Sequence, residues 1–243
     1  MSDSKSMRSL CIIPARGGSR RIPRKNIRPL HGRPLLGWAI ATAQASGVFD
    51  EIMVSTDDAE IAAIAREWGA AVPFLRSQAT ATDRATTTEA LAEVLASYAV
   101  AGLGTFTKVC CLYPTAALLR PEHLRLGFEK LRNDDALDSV MAMQAYRHPI
   151  ERAYRERDGL VRQIDPASHD VRTQDLTPAF HDAGQFYWFR PERFAATGDM
   201  LAERCAPVVL EAWEAVDLDN ESDWAFLERL ASDRACADTE GRS

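Results

Sequence analysis

Short apolar runs alternate with longer helical patterns over the first 145 positions, and few folds can bury such a rhythm. Leu10-Cys11-Ile12-Ile13, Ile52-Met53-Val54-Ser55, Val109-Cys110-Cys111-Leu112 and Ser139-Val140-Met141-Ala142-Met143 read as strands that are apolar on both faces. Runs of this kind belong in a parallel sheet covered on both sides. Helical segments separate them. Pro34 to Ser46 has Pro in its first turn and Gly47 as a stop, and Ala59 to Trp68 ends at Gly69. Thr86-Thr87-Thr88-Glu89 opens another helix with the spacing of a capping box, and Pro121 to Leu131 forms the next. Val72 to Leu75 is expected to add a short strand. The fold class that follows is α/β: a Rossmann-like, mainly parallel sheet with helices on both faces. Such sheets bind ligands beyond the carboxyl ends of their strands, so the loops after Ile13, Val54 and Leu112 carry the interest.

The rhythm breaks over residues 146–181, a polar, Arg-rich stretch with a turn signal at Asp158-Gly159. It reads as an inserted hairpin or arm. Alternation returns with Gln185-Phe186-Tyr187-Trp188-Phe189, a helix from Pro191, a strand near Val208-Val209-Leu210, and Ala215-Val216-Asp217-Leu218. A last helix runs from Asn220, a good N-cap, to about Ser232. A chain of 243 residues divided this way is expected to form a single domain over 8–233, with loose ends at 1–7 and 234–243.

Charge narrows the function. The chain carries a net charge of −6, which argues against a basic nucleic-acid binder. Yet nine of the 29 Lys and Arg residues fall in the first 49 positions, against one acid, Asp3. A cationic segment on an acidic protein points to a local anionic ligand. The five cysteines are odd in number and form no CxxC, which argues against a disulfide framework or a zinc site. No run of 18 apolar residues suggests a membrane span. A reducing cytoplasm is the expected location. The five histidines show no metal-ligand spacing and are expected to be structural.

The cations concentrate in the first βα connection, Pro14-Ala15-Arg16-Gly17-Gly18-Ser19-Arg20-Arg21-Ile22-Pro23-Arg24-Lys25-Asn26. Gly17-Gly18 is expected to turn with positive φ and to bring backbone N–H groups close to an anion. Arg16, Arg20, Arg21, Arg24 and Lys25 add charge around it, as a triphosphate requires. Neither GxxxxGK[ST] nor GxGxxG is present, so this is neither a P-loop nor a dinucleotide fingerprint. A solvated surface loop is the plain alternative. Asp217 and Asp219, two apart at an expected strand end, project to one face and could share a Mg²⁺ ion; Asp219 could instead assist the cap at Asn220. Asp57 and Asp58 read as caps of the following helix.

The string PARGGSRRIPRKN resembles the opening motif of the CMP-sialic acid synthetases and related nonulosonate cytidylyltransferases. The likeness continues through Pro34-Leu35-Leu36-Gly37-Trp38, Val54-Ser55-Thr56-Asp57-Asp58, Phe74-Leu75-Arg76 with Asp83 and Thr86–Thr88, and Leu112-Tyr113-Pro114-Thr115-Ala116 with Arg120. Asp182-Ala183-Gly184-Gln185-Phe186-Tyr187-Trp188 is similar to a string of the pseudaminic-acid branch of that family. Together these motifs cover roughly residues 9–232.

The resemblance implies a nucleotide-diphospho-sugar transferase type of fold and a concrete reaction. The anomeric hydroxyl of a nonulosonic acid attacks the α-phosphorus of CTP, and pyrophosphate leaves. Arg16, Lys25 and Asp217 would be catalytic. Ala15, Arg16, Gly17, Gly18, Ser19, Arg20, Lys25, Asn26, Arg76, Asp83, Thr87 and Thr115 would bind the nucleotide. Asp217 and Asp219 would hold Mg²⁺. Tyr113, Asp182, Gln185 and Tyr187 would meet the sugar. Tyr113 and Ala117 depart from the sialic-acid pattern, which commonly has Gln and Pro there. Tyr113 together with the aromatic string points toward a dideoxy sugar such as pseudaminic acid, whose methyl and methylene surface suits aromatic rings. The same aromatic string could equally be a core strand. The 146–181 arm would pair two subunits into a homodimer. N-acetylneuraminic or legionaminic acid is the alternative substrate, and a non-catalytic nucleotide-binding protein the alternative of another class.

Overall fold

The computed structural model describes residues 8–19 and 21–240. Arg20, the expected loose end at 1–7 and the last three positions of the one expected at 234–243 lie outside the described residues. In chain order the elements are β1 (Ser9–Pro14), the short antiparallel pair β2 (Pro29–Leu30) and β3 (Arg33–Pro34), α1 (Leu35–Ser46), β4 (Glu51–Ser55), α2 (Ala59–Glu67), α3 (Thr87–Val100), β5 (Lys108–Leu112), α4 (Pro121–Asn133) and β6 (Ser139–Ala145). There follow the hairpin β7 (Tyr154–Arg157) and β8 (Leu160–Gln163), then β9 (Phe180–Phe189), α5 (Pro191–Thr197), β10 (Cys205–Leu210) and α6 (Glu221–Glu240).

Six strands form one sheet in the order β10-β6-β9-β5-β1-β4. All run parallel except β9, which is antiparallel to both β5 and β6. From β1 the chain moves outward to β4, then crosses back to β5 on the other side of β1. Connections thus diverge at the β1–β5 boundary, which opens a crevice beyond the carboxyl ends of those two strands.

The core lies on both sheet faces, and β1 shows why its residues are apolar without alternation. Cys11 and Ile13 pack with Leu36, Ile40, Ile61 and Leu124 from the helices on one face. Leu10 and Ile12 pack with Leu91, Val94 and Tyr98 of α3 on the other. The thiols of Cys11, Cys110 and Cys111 are buried and free, and burial pushes their pKa values up. A third cluster sits at the sheet's end: Ile22, Leu30, Leu118, Val216, Leu218, Trp224 and Leu227 join the first loop, the segment after β5 and α6. Local signals hold at the helix ends. Asp58 caps α2 through the N–H groups of Glu60 and Ile61, and Thr86 and Glu89 complete a capping box on α3.

Several expectations are corrected. Val72–Leu75 is not a strand; only Ala71 bridges Met53 at the sheet edge. Ala215–Leu218 joins no ladder among the described residues. The aromatic strand begins earlier, at Phe180, and α6 continues beyond Ser232 to Glu240, through positions expected to be loose. The Asp158-Gly159 turn does make a hairpin, with φ of 55° and 76° at its two residues. Among the described residues, no helix is long and apolar enough to cross a membrane.

Trp188 of β9 is fully buried, stacked 4.9 Å from Phe49 and hydrogen-bonded through Nε1 to the carbonyl of Leu124. A Cβ on Gly127 of α4 would lie 2.7 Å from its Cδ1. Alanine gains about 1 kcal/mol of helix propensity over glycine, but overpacking against a fixed indole costs about 1–3 kcal/mol. Gly127→Ala should therefore lower the stability measured by urea unfolding; a rise would show that Trp188 can retreat.

Candidate active site

A cavity of ≈ 660 Å³ occupies the crevice. Its walls come from five places that are distant in sequence. The loop after β1 gives Pro14, Arg16, Ser19, Arg21, Lys25 and Asn26. The approach to α3 gives Arg76, Asp83, Ala85 and Thr86, and its first turn gives Thr87 and Ala90. The end of β5 gives Tyr113, Pro114 and Thr115. Gly184, Asp217 and Asp219 close the far side.

The first loop is held by its own polar contacts. Asn26 is buried and donates from Nδ2 to the carbonyl of Arg16 at 2.9 Å, which folds the loop back on itself. The N–H of Gly17 donates to Asp57 Oδ1 at 3.0 Å. Arg24 adopts a left-handed φ of 54°, a conformation that costs a non-glycine residue roughly 1–2 kcal/mol. Its guanidinium is pinned to Asp58 and Glu60 of the next βα unit, and the twist starts the short 3₁₀ turn carrying Lys25 and Asn26. The Arg24 hydrogen bond also holds the Asp58 carboxyl below its usual range.

Gly17 and Gly18 do not turn with positive φ, contrary to expectation. Gly17 is needed for room instead: a Cβ there would lie 2.7 Å from Asp58 Oδ2. Asp58 cannot yield, because it caps α2 and binds Arg24. Gly18 is exposed, with nothing within 4 Å of a Cβ.

Lys25 donates from Nζ to the carbonyl of Leu218 at 2.8 Å, and Arg21 pairs with Asp219 at 2.6 Å. These two contacts bring the Asp217–Asp219 segment against the cation loop. Burial, helped by the nearby Arg21, lowers the pKa of Lys25, while Asp219 and Asp217 oppose the shift. Arg16 pairs with Asp83 across the cavity. Arg76 is buried; its Nε donates to Ser55 Oγ at 3.0 Å and its Nη2 to the Ser55 carbonyl at 2.8 Å, tying the α3 approach to the end of β4.

The far wall is a bulge. Met141 of β6 pairs with Tyr187 but Met143 pairs with Asp182, so Ala183-Gly184-Gln185 loops out of the ladder. Gly184 has a φ of 61°, and its N–H donates to Asp182 Oδ1 at 2.8 Å. Gln185 braces the bulge from inside through the carbonyls of Ala183 and Gly184, and its Oε1 is buried with no donor among the described residues. The Tyr187 hydroxyl donates to Asp182 Oδ2 at 2.6 Å. Its ring meets Tyr113 edge-on at 5.8 Å, and the Tyr113 hydroxyl shares a 2.9 Å hydrogen bond with Thr87 Oγ1. Burial pushes the Tyr113 pKa up to about 12.

Of the residues singled out in the sequence, Arg16, Ser19, Lys25, Asn26, Arg76, Asp83, Thr87, Tyr113, Thr115, Asp217 and Asp219 line this one cavity. Ala15, Gly17, Gly18, Asp182, Gln185 and Tyr187 are not among its lining residues; the first three shape the loop, and the last three shape or brace the bulge. Arg20 lies outside the described residues. Sequence reasoning missed Gly184 as a wall residue, although its place in an aromatic strand marks a bulge. Arg21 was counted only as charge.

The cytidylyltransferase family model matches residues 10–229. A pseudaminic acid cytidylyltransferase of Campylobacter jejuni is 38% identical over 228 residues, covering 92% of this chain and 96% of the relative. A CMP-N,N'-diacetyllegionaminic acid synthase of Legionella pneumophila is 32% identical over 234 residues, covering 92% and 96%. Among solved structures, a CMP:2-keto-3-deoxy-manno-octonic acid synthetase complexed with CTP superposes with a TM-score of 0.68 at 16% identity, covering 93% of this chain and 99% of that one. At that identity the likeness concerns the fold.

The two glycines of the loop should separate on substitution. Gly17→Ala should cost about 1–3 kcal/mol by overpacking against Asp58, whereas Gly18→Ala should stay within about 0.5 kcal/mol of the parent. Thermal unfolding of the pair checks this, and equal losses would contradict the steric reading of Gly17.

Proposed function

The chain belongs to the cytidylyltransferase family, and we propose that it transfers CMP from CTP to the anomeric hydroxyl of pseudaminic acid. The observation that carries this reading is the convergence of Arg16, Arg21 and Lys25 with Asp217 and Asp219 on one cavity at the β1–β5 crevice. The 38% identity to a pseudaminic acid cytidylyltransferase supports the choice of acceptor.

In the proposed reaction the sugar hydroxyl oxygen bonds to the α-phosphorus as the bond to the β-phosphate bridging oxygen breaks. Pyrophosphate leaves with that electron pair, and the hydroxyl proton passes to solvent. Such transfers depend on alignment and on neutralising charge at phosphate oxygens. Arg16 and Lys25 supply fixed positive charge for the leaving pyrophosphate. Asn26 keeps the loop bearing Arg16 folded, and Arg76 holds the approach to α3, whose Thr87 lines the cavity. Tyr113 lines the cavity, and its aromatic ring would suit the deoxy carbons of a dideoxy sugar.

Mg²⁺ belongs to this proposal. Asp217 and Asp219 both line the cavity. Among the described residues there is no group of three His, Cys, Asp or Glu that could hold an ion alone. Two carboxylates facing a phosphate site fit Mg²⁺, which commonly takes the rest of its shell from substrate phosphates and water. When bound, the ion would add charge neutralisation at the phosphate oxygens. CTP as donor and the free thiols accord with a cytoplasmic location.

A second copy of the chain is part of the same reading. Exposed apolar side chains gather on the 146–181 arm: Tyr146, Ile150, Tyr154, Leu160, Val161 and Ile164. A lone two-stranded hairpin is marginal in water, and an apolar patch of this kind suits a protein interface. Light scattering should give the mass of a homodimer, and Val161→Asp should shift it toward monomer; a monomeric parent would contradict the pairing.

Pyrophosphate release should be measured with each nucleoside triphosphate and with pseudaminic, legionaminic and N-acetylneuraminic acids. CTP with pseudaminic acid should give the highest kcat/KM. Preference for legionaminic acid would favour the reading that the Legionella relative suggests. CTP binding without release would point to a nucleotide-binding protein. Asp217→Asn should lower Mg²⁺-dependent turnover about 100-fold or more, on the scale of lost metal and oxyanion contacts. Unchanged Mg²⁺ dependence would place the ion elsewhere.

A further inference from the structure

We propose that Glu214 is a positioning residue of this site, locking the segment that bears Asp217 and Asp219 to the end of the loop after β5. Residues 211–219 have no helix or strand to place them. Glu214 lies early in that segment and is only 5% exposed, unusual for a carboxylate. Three groups surround it. Arg120 Nε lies 2.9 Å from its Oε1, and the Glu211 N–H donates to its Oε2 at 3.0 Å. His123 Nε2 lies 3.4 Å from the same Oε2. Arg120 is the N-cap residue of α4, and His123 stands in its first turn.

A buried carboxylate with a guanidinium on one oxygen and a backbone amide on the other has little freedom to move. Asp217 follows three residues later, so at most about 11 Å of chain separates it from this anchor. The segment is also held by the burial of Val216 and Leu218 in the third cluster, by the Asp219 N–H donating to Asp223 Oδ2 at 2.8 Å, and by two ties from the cation loop, Lys25 to the Leu218 carbonyl and Arg21 to Asp219. Substrate phosphates compete for those cations. Glu214 therefore supplies an anchor that does not pass through groups meeting the substrate.

This inference rests on the proposed cytidylyl transfer, so its test pairs kinetics with amide hydrogen exchange. Glu214→Gln keeps the shape and removes the charge. It should lower kcat for pyrophosphate release by about 10-fold or more, the usual effect of losing a supporting contact, while the KM for CTP moves less than about threefold. Exchange over 211–219 should quicken about tenfold, with β1 and β5 unchanged. Arg120→Gln, at a half-exposed position, should give the same pattern more weakly, and the double variant should be no worse than Glu214→Gln alone. Wild-type kcat in both single variants, or losses that multiply in the double, would overturn the proposal. Should Glu214→Gln fail to fold, Arg120→Gln decides by the same two readouts. If the parent enzyme releases no pyrophosphate, the functional reading fails, and the exchange rates alone decide whether Glu214 holds the segment.

Discussion

The ammonium of Lys25 resting on the carbonyl of Leu218 joins two parts of the chain that are 193 positions apart. The Arg21–Asp219 pair is a second polar tie between the cation loop after β1 and the acid segment before α6. Loop and segment face one another across a single cavity. The contact is supported from below by an apolar cluster in which Ile22 and Leu30 meet Val216, Leu218 and Trp224. Arg28 reinforces the junction. Its guanidinium lies 4.1 Å over the Trp224 ring and binds both carboxylate oxygens of Glu221 at the start of α6. Polar precision at the top thus depends on ordinary hydrophobic burial beneath it, which is what gives a charged loop a fixed shape.

Topology explains why the cavity lies where it does. Because β1 has β4 on one side and β5 on the other, the loops leaving β1 and β5 diverge and leave space between them. The antiparallel β9 then closes that space. Its bulge sends Gly184 into the wall, while the N–H of Tyr113 donates to the Gln185 carbonyl at 2.9 Å and carries the β5 edge past the end of the ladder. A regular β9 would keep its side chains alternating between the two cores and would contribute nothing to the site.

Much of this was legible in the sequence, and the misses have physical causes. The four parallel strands read from apolar runs were found because burial on both faces leaves no polar positions. The caps at Asp58 and Thr86 were legible because capping is local chemistry. The direction of β9 was not, since an apolar strand has the same pattern whichever way it runs. The stretch Ala215–Leu218 alternates as a strand does, yet its burial comes from the third cluster rather than from a ladder. The site residues named from motifs converged for the most part. At Gly17 the structure gives a different reason from the one expected: the glycine is required by the space Asp58 occupies, not by a left-handed turn, and the left-handed residue is Arg24.

Arg24 also bears on how so many cations can share one short loop. Five like charges within ten residues repel one another, and the chain manages this by giving the described ones separate acidic or carbonyl partners. Arg24 turns outward to Asp58 and Glu60, Arg16 reaches Asp83, and Arg21 reaches Asp219. Lys25, the most enclosed of them, has a carbonyl rather than a carboxylate, and its lowered pKa reflects burial among positive neighbours. The partners differ in what they leave available. Asp58 is already committed to capping α2, so the Arg24 pair is structural. Asp83 and Asp219 stand on the cavity wall, so the charges they balance are the ones an anion entering the cavity would meet. The loop is therefore divided by function within a few residues, one cation holding the frame and three facing the space it encloses.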